Sequence, residues 1–150
     1  MWRALFYFVL FFLLVACHSK TSNSKQAPLL DERATILYND LSAIHDTAML
    51  LMGPIAGIKS QLRDKISSIP SQKDRVLVCL SDLKKAEDWM MRWMNEFKNV
   101  ELDETFYISQ TKDSILGYLE TERTKVVALH SFMQTSLSKA KQLNRSIENF

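Results

Sequence analysis

The chain has 150 residues, of which 47% are hydrophobic and 24% charged, with 19 basic and 17 acidic side chains and a net charge of +2. This length fits one domain with a single core. The charges are spread along the chain, which argues against a nucleic-acid-binding protein and against a polybasic membrane-binding patch, because both need a clustered basic surface.

The amino-terminal segment has the layout of a secretory signal. Arg3 makes the start positive, and residues 4–16 form an unbroken apolar run that ends in the small residue Ala16. This run is shorter than the roughly 20 apolar residues that cross a bilayer. The pattern therefore predicts a cleaved signal segment at residues 1–16.

Cys17 directly follows this run, and Leu14-Val15-Ala16-Cys17 resembles a bacterial lipobox. The resemblance implies that the Cys17 thiol receives a diacylglycerol and becomes the first residue after cleavage. Two or more acyl chains hold a protein on a membrane where one chain binds only reversibly. We therefore predict lipidation at Cys17 and a location in the bacterial cell envelope. Two alternatives stay open: a secreted protein with an incidental cysteine, and an uncleaved signal anchor.

Residues 17–28 are predicted to be a lipidated, disordered tether, because they are polar and rich in turn-forming residues. The residues that follow Cys17 are His18, Ser19 and Lys20, without an acidic cluster that resembles a surface-export signal. We therefore expect the protein to face the periplasm. The composition changes after Pro28, and residues 29–150 are predicted to form the domain.

The first helix is predicted over residues 29–68. Its apolar positions alternate steps of three and four residues, which is a heptad seam. These positions are Leu30, Ala34, Leu37, Leu41, Ile44, Ala48, Leu51, Ile55, Ile58 and Leu62. Pro54 has no N–H to donate to the carbonyl of Leu50, and the seam continues in register beyond it, so we predict a kink at residues 50–54 rather than an end.

The second helix is predicted to begin after Pro70, with Ser71 as its N-cap and Asp74 completing a variant of the capping box. It is expected to end near Asn99, and Glu87 interrupts its seam. The seam residues are Val76, Leu80, Leu83, Met90, Met94 and Phe97.

The third helix is predicted to follow a short connector at residues 100–103, with Asp103 or Thr105 as its cap. Gly117 costs it about 1 kcal/mol relative to Ala. Its apolar seam consists of Ile108, Ile115, Leu119, Val126, Leu129, Met133, Ala140, Leu143, Ile147 and Phe150. Three polar residues also fall on this seam, namely Lys112, Glu122 and Ser136.

Short connections place consecutive helices antiparallel. The expected fold is therefore all-α, an elongated antiparallel three-helix bundle with coiled-coil-like packing. The sequence offers no strand of useful length and no β-hairpin dipeptide. One alternative is that the heptad seams also pair between chains and make a homo-oligomeric coiled coil.

The chain has no recognisable catalytic motif, such as a Gly-rich phosphate loop, a nucleophile elbow or HExxH. His18, His45 and His130 are isolated from one another in the sequence, and Cys79 lies in an apolar helical stretch, where an inert buried thiol is expected. We therefore predict a protein that is not an enzyme and has no cofactor.

One group of residues has the character of soft-metal ligands. His45, Met49 and Met52 share a helical face, and a Met- and Trp-rich segment lies in the second helix. Imidazole and thioether groups suit Cu(I). The candidate ligands are His45, Met49, Met52, Met90, Met91 and Met94. The simpler interpretation, which we prefer, is that these side chains fill the core beside the kink.

Several short motifs together make the chain similar to a group of small uncharacterised Gram-negative lipoproteins, some of which carry the label "viral A-type inclusion protein". The resemblance covers nearly the whole chain. Besides the lipobox, it rests on Ile44-His45-Asp46 with Met49 and Met52, on Trp89-Met90-Met91-Arg92-Trp93-Met94 with Phe97-Lys98, and on Tyr118-Leu119-Glu120 with Glu122.

Members of this group tend to have a proline between the two methionines, where this chain has Leu50 and Leu51 and places its proline at Pro54. The resemblance implies a helical envelope protein of unknown activity and no catalytic residues. We therefore expect a lipid-anchored, non-enzymatic interaction or scaffold protein. Its expected partners are the membrane, through Cys17, and either another protein or a second copy of the chain, but not nucleic acid.

Overall fold

A computed structural model describes residues 29–148, and all regular secondary structure in that range is helical. The elements are α1 (Glu32–Met49), α2 (Met52–Lys65), a 3₁₀ turn (Pro70–Gln72), α3 (Lys73–Glu96), α4 (Glu104–Ser109) and α5 (Lys112–Glu148). The prediction of an all-helical fold is confirmed. The predicted signal segment, lipidated Cys17, the tether and Phe150 lie outside the described residues.

The helix at the start of the domain is interrupted once, between α1 and α2. Asp31 caps α1, since its carboxylate accepts a hydrogen bond from the Ala34 N–H at 2.9 Å. Leu50 and Leu51 form a turn after α1, and the Ile55 N–H donates to the Leu51 carbonyl at 2.9 Å, so helical bonding resumes directly after Pro54. The prediction of one continuous kinked helix is therefore wrong in its continuity, although the interruption falls close to the predicted residues 50–54.

The start of α3 differs from the prediction, because Ser71 is not its N-cap. The Gln72 N–H donates to the Ile69 carbonyl at 3.0 Å and closes a 3₁₀ turn that contains Ser71. Proline favours the first position of such a turn because its φ is already fixed near the helical value. As a result α3 begins at Lys73, and its N-cap Gln72 makes no side-chain capping bond.

The predicted third helix is wrong in its first turns, because the chain forms a separate short helix, α4, before α5. Asp103 precedes α4 but makes no side-chain capping bond there. Thr111 caps α5 instead, since its hydroxyl accepts the Ser114 N–H at 3.2 Å. The break rotates α4 out of the predicted seam, and Ile108 is 66% exposed.

The predicted seams agree closely with the buried faces, with a few exceptions. Every seam residue predicted in the first helix is buried or half-buried, and so are Glu122 and Ser136 in α5, whereas Lys112 is exposed. In α3, Met94 is exposed and Trp93 is buried in its place. Ala86 is likewise buried beside the predicted seam position of Glu87, so in these two turns the buried face of α3 lies one residue before the predicted one.

The described residues form two hydrophobic clusters that meet at Phe97. The larger cluster lies among α1, α2, α3 and α5, and the smaller one joins the start of α1 to α4 and the start of α5. Glu87, which interrupts the α3 seam, forms an ion pair with Lys59 of α2. Glu87 therefore makes a polar contact between α2 and α3 at the edge of the core.

Taken together, α1 and α2 are long and apolar enough to cross a membrane, judged by length and composition alone. They are the one helical unit in residues 29–148 with this property. Signal sequences and the core helices of soluble proteins can have the same length and apolar composition. An apolar helix near the amino terminus is therefore compatible with a signal or membrane segment.

Candidate binding cleft

A cleft of about 540 Å³ opens between α1, the end of α3 and the loop at residues 97–103. Pockets of roughly 300–1,000 Å³ accommodate small organic ligands. Successive turns of α1 contribute Tyr38, Leu41 and His45 to the wall, and α3 contributes Trp93 and Met94. The cleft therefore brings together His45, from the Ile44-His45-Asp46 motif, and Trp93 and Met94, from the Met- and Trp-rich segment of α3.

Three tyrosines hold the loop that forms one wall of the cleft. The Tyr118 hydroxyl accepts the Lys98 N–H at 2.6 Å, and the Tyr107 hydroxyl donates to the Lys98 carbonyl. The Tyr38 hydroxyl accepts a hydrogen bond from the Asn99 side-chain amide at 3.1 Å. Because these tyrosines come from α1, α4 and α5, the loop is fixed by three separate elements.

The loop is also closed by its own side chains. The Asp103 carboxylate accepts the Asn99 N–H at 3.0 Å and lies 3.5 Å from the Lys98 ammonium. The Asn99 side-chain oxygen in turn accepts the backbone N–H of Glu101 at 2.8 Å and of Leu102 at 3.3 Å. Asn and Asp favour turns through such local bonds. Asn99 and Asp103 are turn-forming residues that could be recognised in the sequence, but the prediction of a plain connector did not use them.

Aromatic rings stack along the base of the cleft. The His45 and Trp93 ring centroids are 5.4 Å apart, those of Trp93 and Phe97 are 4.9 Å apart, and those of Phe97 and Tyr118 are 6.2 Å apart. Offset packing of this kind adds to the stabilisation from burial alone. The stack joins α1, α3 and α5 and limits the movement of His45 and Trp93.

Two ring nitrogens beside the cleft are buried without a hydrogen-bond partner among residues 29–148. They are His45 Nε2 and Trp93 Nε1. His45 Nδ1 lies 3.1 Å from the Asp46 carboxylate, an acceptor, so Nδ1 carries the proton and Nε2 is an acceptor in the neutral imidazole. Trp93 Nε1 is always a donor. Both nitrogens are buried, so neither is accessible from the open space of the cleft.

The charged side chains that line the cleft are both acidic. Asp46 and Asp103 belong to its wall, and no lysine or arginine does within the described part of the chain. Burial raises the pKa of Tyr118 to about 12, and burial also raises the pKa of Tyr107 above its usual value. The tyrosines therefore stay uncharged at neutral pH. Both carboxylates already have partners among the described residues, since Asp103 lies 3.5 Å from the Lys98 ammonium and Asp46 lies 3.1 Å from His45 Nδ1.

The candidate metal ligands are spread over several environments. His45 and Met94 line the same cleft. Met49 and Met52 are half-buried against the larger core cluster, Met90 is fully buried, and Met91 is 50% exposed. Residues 29–148 contain no group of three His, Cys, Asp or Glu side chains placed to hold a metal. The structure therefore brings His45 and Met94 to one site and distributes the other four methionines elsewhere.

Cys79 is a free thiol, half-buried rather than fully buried. Burial is the main cause that raises the pKa of its thiol, and a raised pKa lowers the fraction of reactive thiolate. The thiol is thus less buried than predicted, and its inertness stays a prediction. Cys17, the predicted lipidation site, lies outside the described residues.

Comparison with protein-family models, with curated proteins and with solved structures found no match to this chain. The resemblance to small envelope lipoproteins therefore stays a prediction from the sequence motifs.

Proposed function

We propose that this chain is a lipid-anchored, non-enzymatic helical interaction or scaffold protein of the bacterial cell envelope, facing the periplasm. The observation that carries the interaction role is the open cleft of about 540 Å³ beside α1 and α3, which has the exposed Leu102 at its rim. A cleft of this size can cover most of the surface of a small ligand or a partner's side chain, and covering exposed apolar side chains is favourable.

The anchoring role is supported by the lipobox at Leu14-Val15-Ala16-Cys17 and by the polar residues that follow it. Labelled palmitate supplied to expressing bacteria is expected to enter the wild-type chain but not the Cys17→Ala variant. Cys79→Ala is the matched control, since it removes the other cysteine and should keep the label. Equal labelling of the wild type and Cys17→Ala contradicts the anchor.

The arrangement that we propose for the domain is an elongated up-down-up bundle of three helical units, with α1 and α2 as the first unit, α3 as the second and α5 as the third. Hydrogen bonds join Asp40 to Arg123, Gln61 to Asn144 and Lys65 to Glu148. Each pair is separated by 83 positions, which supports a parallel course of the first and third units.

The direction of α3 is supported by two contacts with the first unit. His45 packs on Trp93, and Lys59 pairs with Glu87, so later residues of the first unit meet earlier residues of α3. Small-angle X-ray scattering of the purified protein tests the shape. An elongated particle is expected, and a particle as compact as a sphere of equal mass contradicts the proposal.

Binding of a soft metal is a second candidate function, favoured by the position of His45 and Met94 in one cleft. Imidazole and thioether ligands suit Cu(I), and the envelope is a compartment where copper is handled. The test is a Cu(I) titration under reducing conditions against a chelator of micromolar affinity. Competition that is lost in both His45→Phe and Met94→Leu supports the metal site, and an absence of competition by the wild type removes it.

A further inference from the structure

We propose that one half of the domain, formed by α2, the start of α3 and the end of α5, docks on a membrane surface that contains anionic phospholipids. This half consists of residues 53–80 and 137–148, and we call it the basic half. The proposal goes beyond the lipid anchor, because it concerns a second contact, made by the folded domain itself. It rests on the proposed role only for the presence of a membrane nearby.

The two halves of the domain have opposite charge. With neutral histidines, the basic half carries eight basic and three acidic side chains, a net charge of +5. Residues 29–52 and 81–136 carry eight basic and fourteen acidic side chains, a net charge of −6. The separation is not visible along the sequence, because the basic half is assembled from two distant stretches of the chain.

Contacts between helices show that these two stretches meet. Asn144 of α5 donates a hydrogen bond to Gln61 of α2 at 3.1 Å and accepts one from Lys65 at 2.9 Å. Along another side of α5, Lys139 and Arg75 of α3 line one groove of about 510 Å³. The end of α5 therefore lies between α2 and the start of α3, and the cations of three helices come together.

Most cations of the basic half are available to an external anion. Lys59 and Lys65 form ion pairs, with Glu87 and Glu148. The other six are exposed and belong to no ion pair within residues 29–148; they are Arg63, Lys73, Arg75, Lys139, Lys141 and Arg145. Each basic side chain near an anionic bilayer contributes a factor of about five to the binding equilibrium, so six of them are sufficient to hold the domain there.

Exposed apolar side chains lie among these cations. Val78 is 62% exposed and lines the groove together with Arg75 and Lys139, and its neighbour Leu77 is 45% exposed. Asp74 is the one carboxylate in the wall of this groove within the described part of the chain. The groove thus combines two cations with an apolar surface that is open to solvent.

A second groove, of about 360 Å³, lies on the α2 side of α5. Lys141 and Arg145 line it beside Pro54 and Ile58, and no carboxylate among residues 29–148 belongs to its wall. Cations next to apolar side chains suit the boundary between lipid headgroups and acyl chains. Inorganic phosphate and the nucleic-acid backbone offer the charge but no apolar surface, so both grooves favour a lipid.

Chemical labelling of lysines on vesicles tests the docking. The full-length protein is incorporated into vesicles of phosphatidylcholine alone, or of phosphatidylcholine and phosphatidylglycerol in equal amounts. A membrane-impermeant amine reagent is added, and mass spectrometry gives the labelling rate of each lysine. Lys73, Lys139 and Lys141 report on the basic half, and the exposed Lys84 and Lys112 report on the acidic half.

The three lysines of the basic half are expected to be labelled more slowly on anionic vesicles than on neutral ones. The rates at Lys84 and Lys112 should be the same on both. High salt should restore fast labelling, because it screens the attraction between the cations and the lipid headgroups. Equal rates on both kinds of vesicle, or equal slowing of all five lysines, overturn the proposal.

Soluble anions are the competing occupants of the basic half. Inorganic phosphate or a short DNA duplex is therefore added to the protein on neutral vesicles. Neither is expected to slow the labelling of Lys73, Lys139 and Lys141 as much as phosphatidylglycerol does. Equal slowing by either one assigns the surface to a free anion or to nucleic acid and overturns the membrane proposal.

A pair of arginine substitutions places the contact on the basic half without removing a lysine reporter. Arg75→Gln combined with Arg145→Gln is expected to weaken docking about thirtyfold and to restore fast labelling on anionic vesicles. Arg33→Gln combined with Arg92→Gln is the matched control, since both arginines are exposed and lie in the acidic half. Slow labelling that persists in the first variant, or that is lost equally in both, contradicts the assignment.

Retention of the protein on neutral vesicles measures the anchor separately from the docking. A protein that stays on neutral vesicles, but whose lysines are not slowed on anionic ones, keeps the anchor and loses the docking surface. A protein that is washed off neutral vesicles, but whose lysines are slowed on anionic ones, gives the opposite result.

Discussion

The hydroxyl oxygen of Tyr118 on α5 accepts the backbone N–H of Lys98, in the loop after α3, at 2.6 Å. The two residues are 20 positions apart, and this bond joins the loop to the longest helix. The position of the loop determines one wall of the cleft, so the bond connects the stability of the domain to the shape of the cleft.

Tyr118→Phe is expected to reduce the free energy of unfolding by about 1–2 kcal/mol, because it leaves a half-buried backbone N–H without its acceptor. Urea denaturation followed by circular dichroism measures the change. Thr124→Val is the control, since it also removes a hydroxyl from α5 but at an exposed position, and a small change is expected there. A loss for Tyr118→Phe no larger than that of the control contradicts this role.

High pH is expected to reduce the free energy of unfolding of the domain through Tyr118. The pKa of Tyr118 is raised from 10.0 to about 12 in the folded protein, mainly by burial, so its contribution to stability is complete below pH 10 and is lost as the pH rises toward 12. Thermal melts between pH 8 and about 12 measure this, together with tyrosinate absorbance. Tyr118→Phe should show a shallower decline than the wild type, and identical slopes would falsify the assignment.

Leu62 is fully buried where α2 packs against the larger core cluster. Leu62→Ala is expected to cost about 2–5 kcal/mol of unfolding free energy, because it removes apolar burial and leaves a cavity. Leu50 provides the matched control, since it is 76% exposed and its replacement by Ala should cost less than about 0.5 kcal/mol. Comparable losses for the two variants in urea denaturation would mean that α2 is not packed as described.

Gly117 lies inside α5 with a helical backbone, and a Cβ atom added there would meet nothing within 4 Å. Gly117→Ala is therefore expected to stabilise the protein by about 0.5–1 kcal/mol, because Ala loses less conformational freedom on folding. The gain should appear as a higher midpoint in thermal and urea denaturation. Gly57→Ala, at a similarly open helical position in α2, should behave in the same way. A destabilised Gly117→Ala variant is inconsistent with a continuous α5.

The all-helical fold and most buried positions were predictable from the sequence, because they depend on local periodicity. Residues spaced three and four apart lie on one face of a helix wherever the helix packs. The place of the interruption between α1 and α2 was predictable for a similar reason, since Pro54 lacks an N–H in any surroundings. The break before α5 was also encoded locally, in Thr111 and Ser114, but it was missed because the apolar seam seemed to continue through it.

The cleft depended on contacts between distant parts of the chain. Nothing near Tyr38, Tyr107 or Tyr118 in the sequence reveals that all three bind the loop at residues 98–99. His45 and Trp93 are 48 positions apart, and their stacking arises from the packing of α1 on α3. Local pattern determines which face of each helix is apolar, whereas the relative rotation and depth of packed helices decide which polar groups are buried together. That is why the sequence predicted the helices, whereas only the folded chain showed which side chains meet around the cleft.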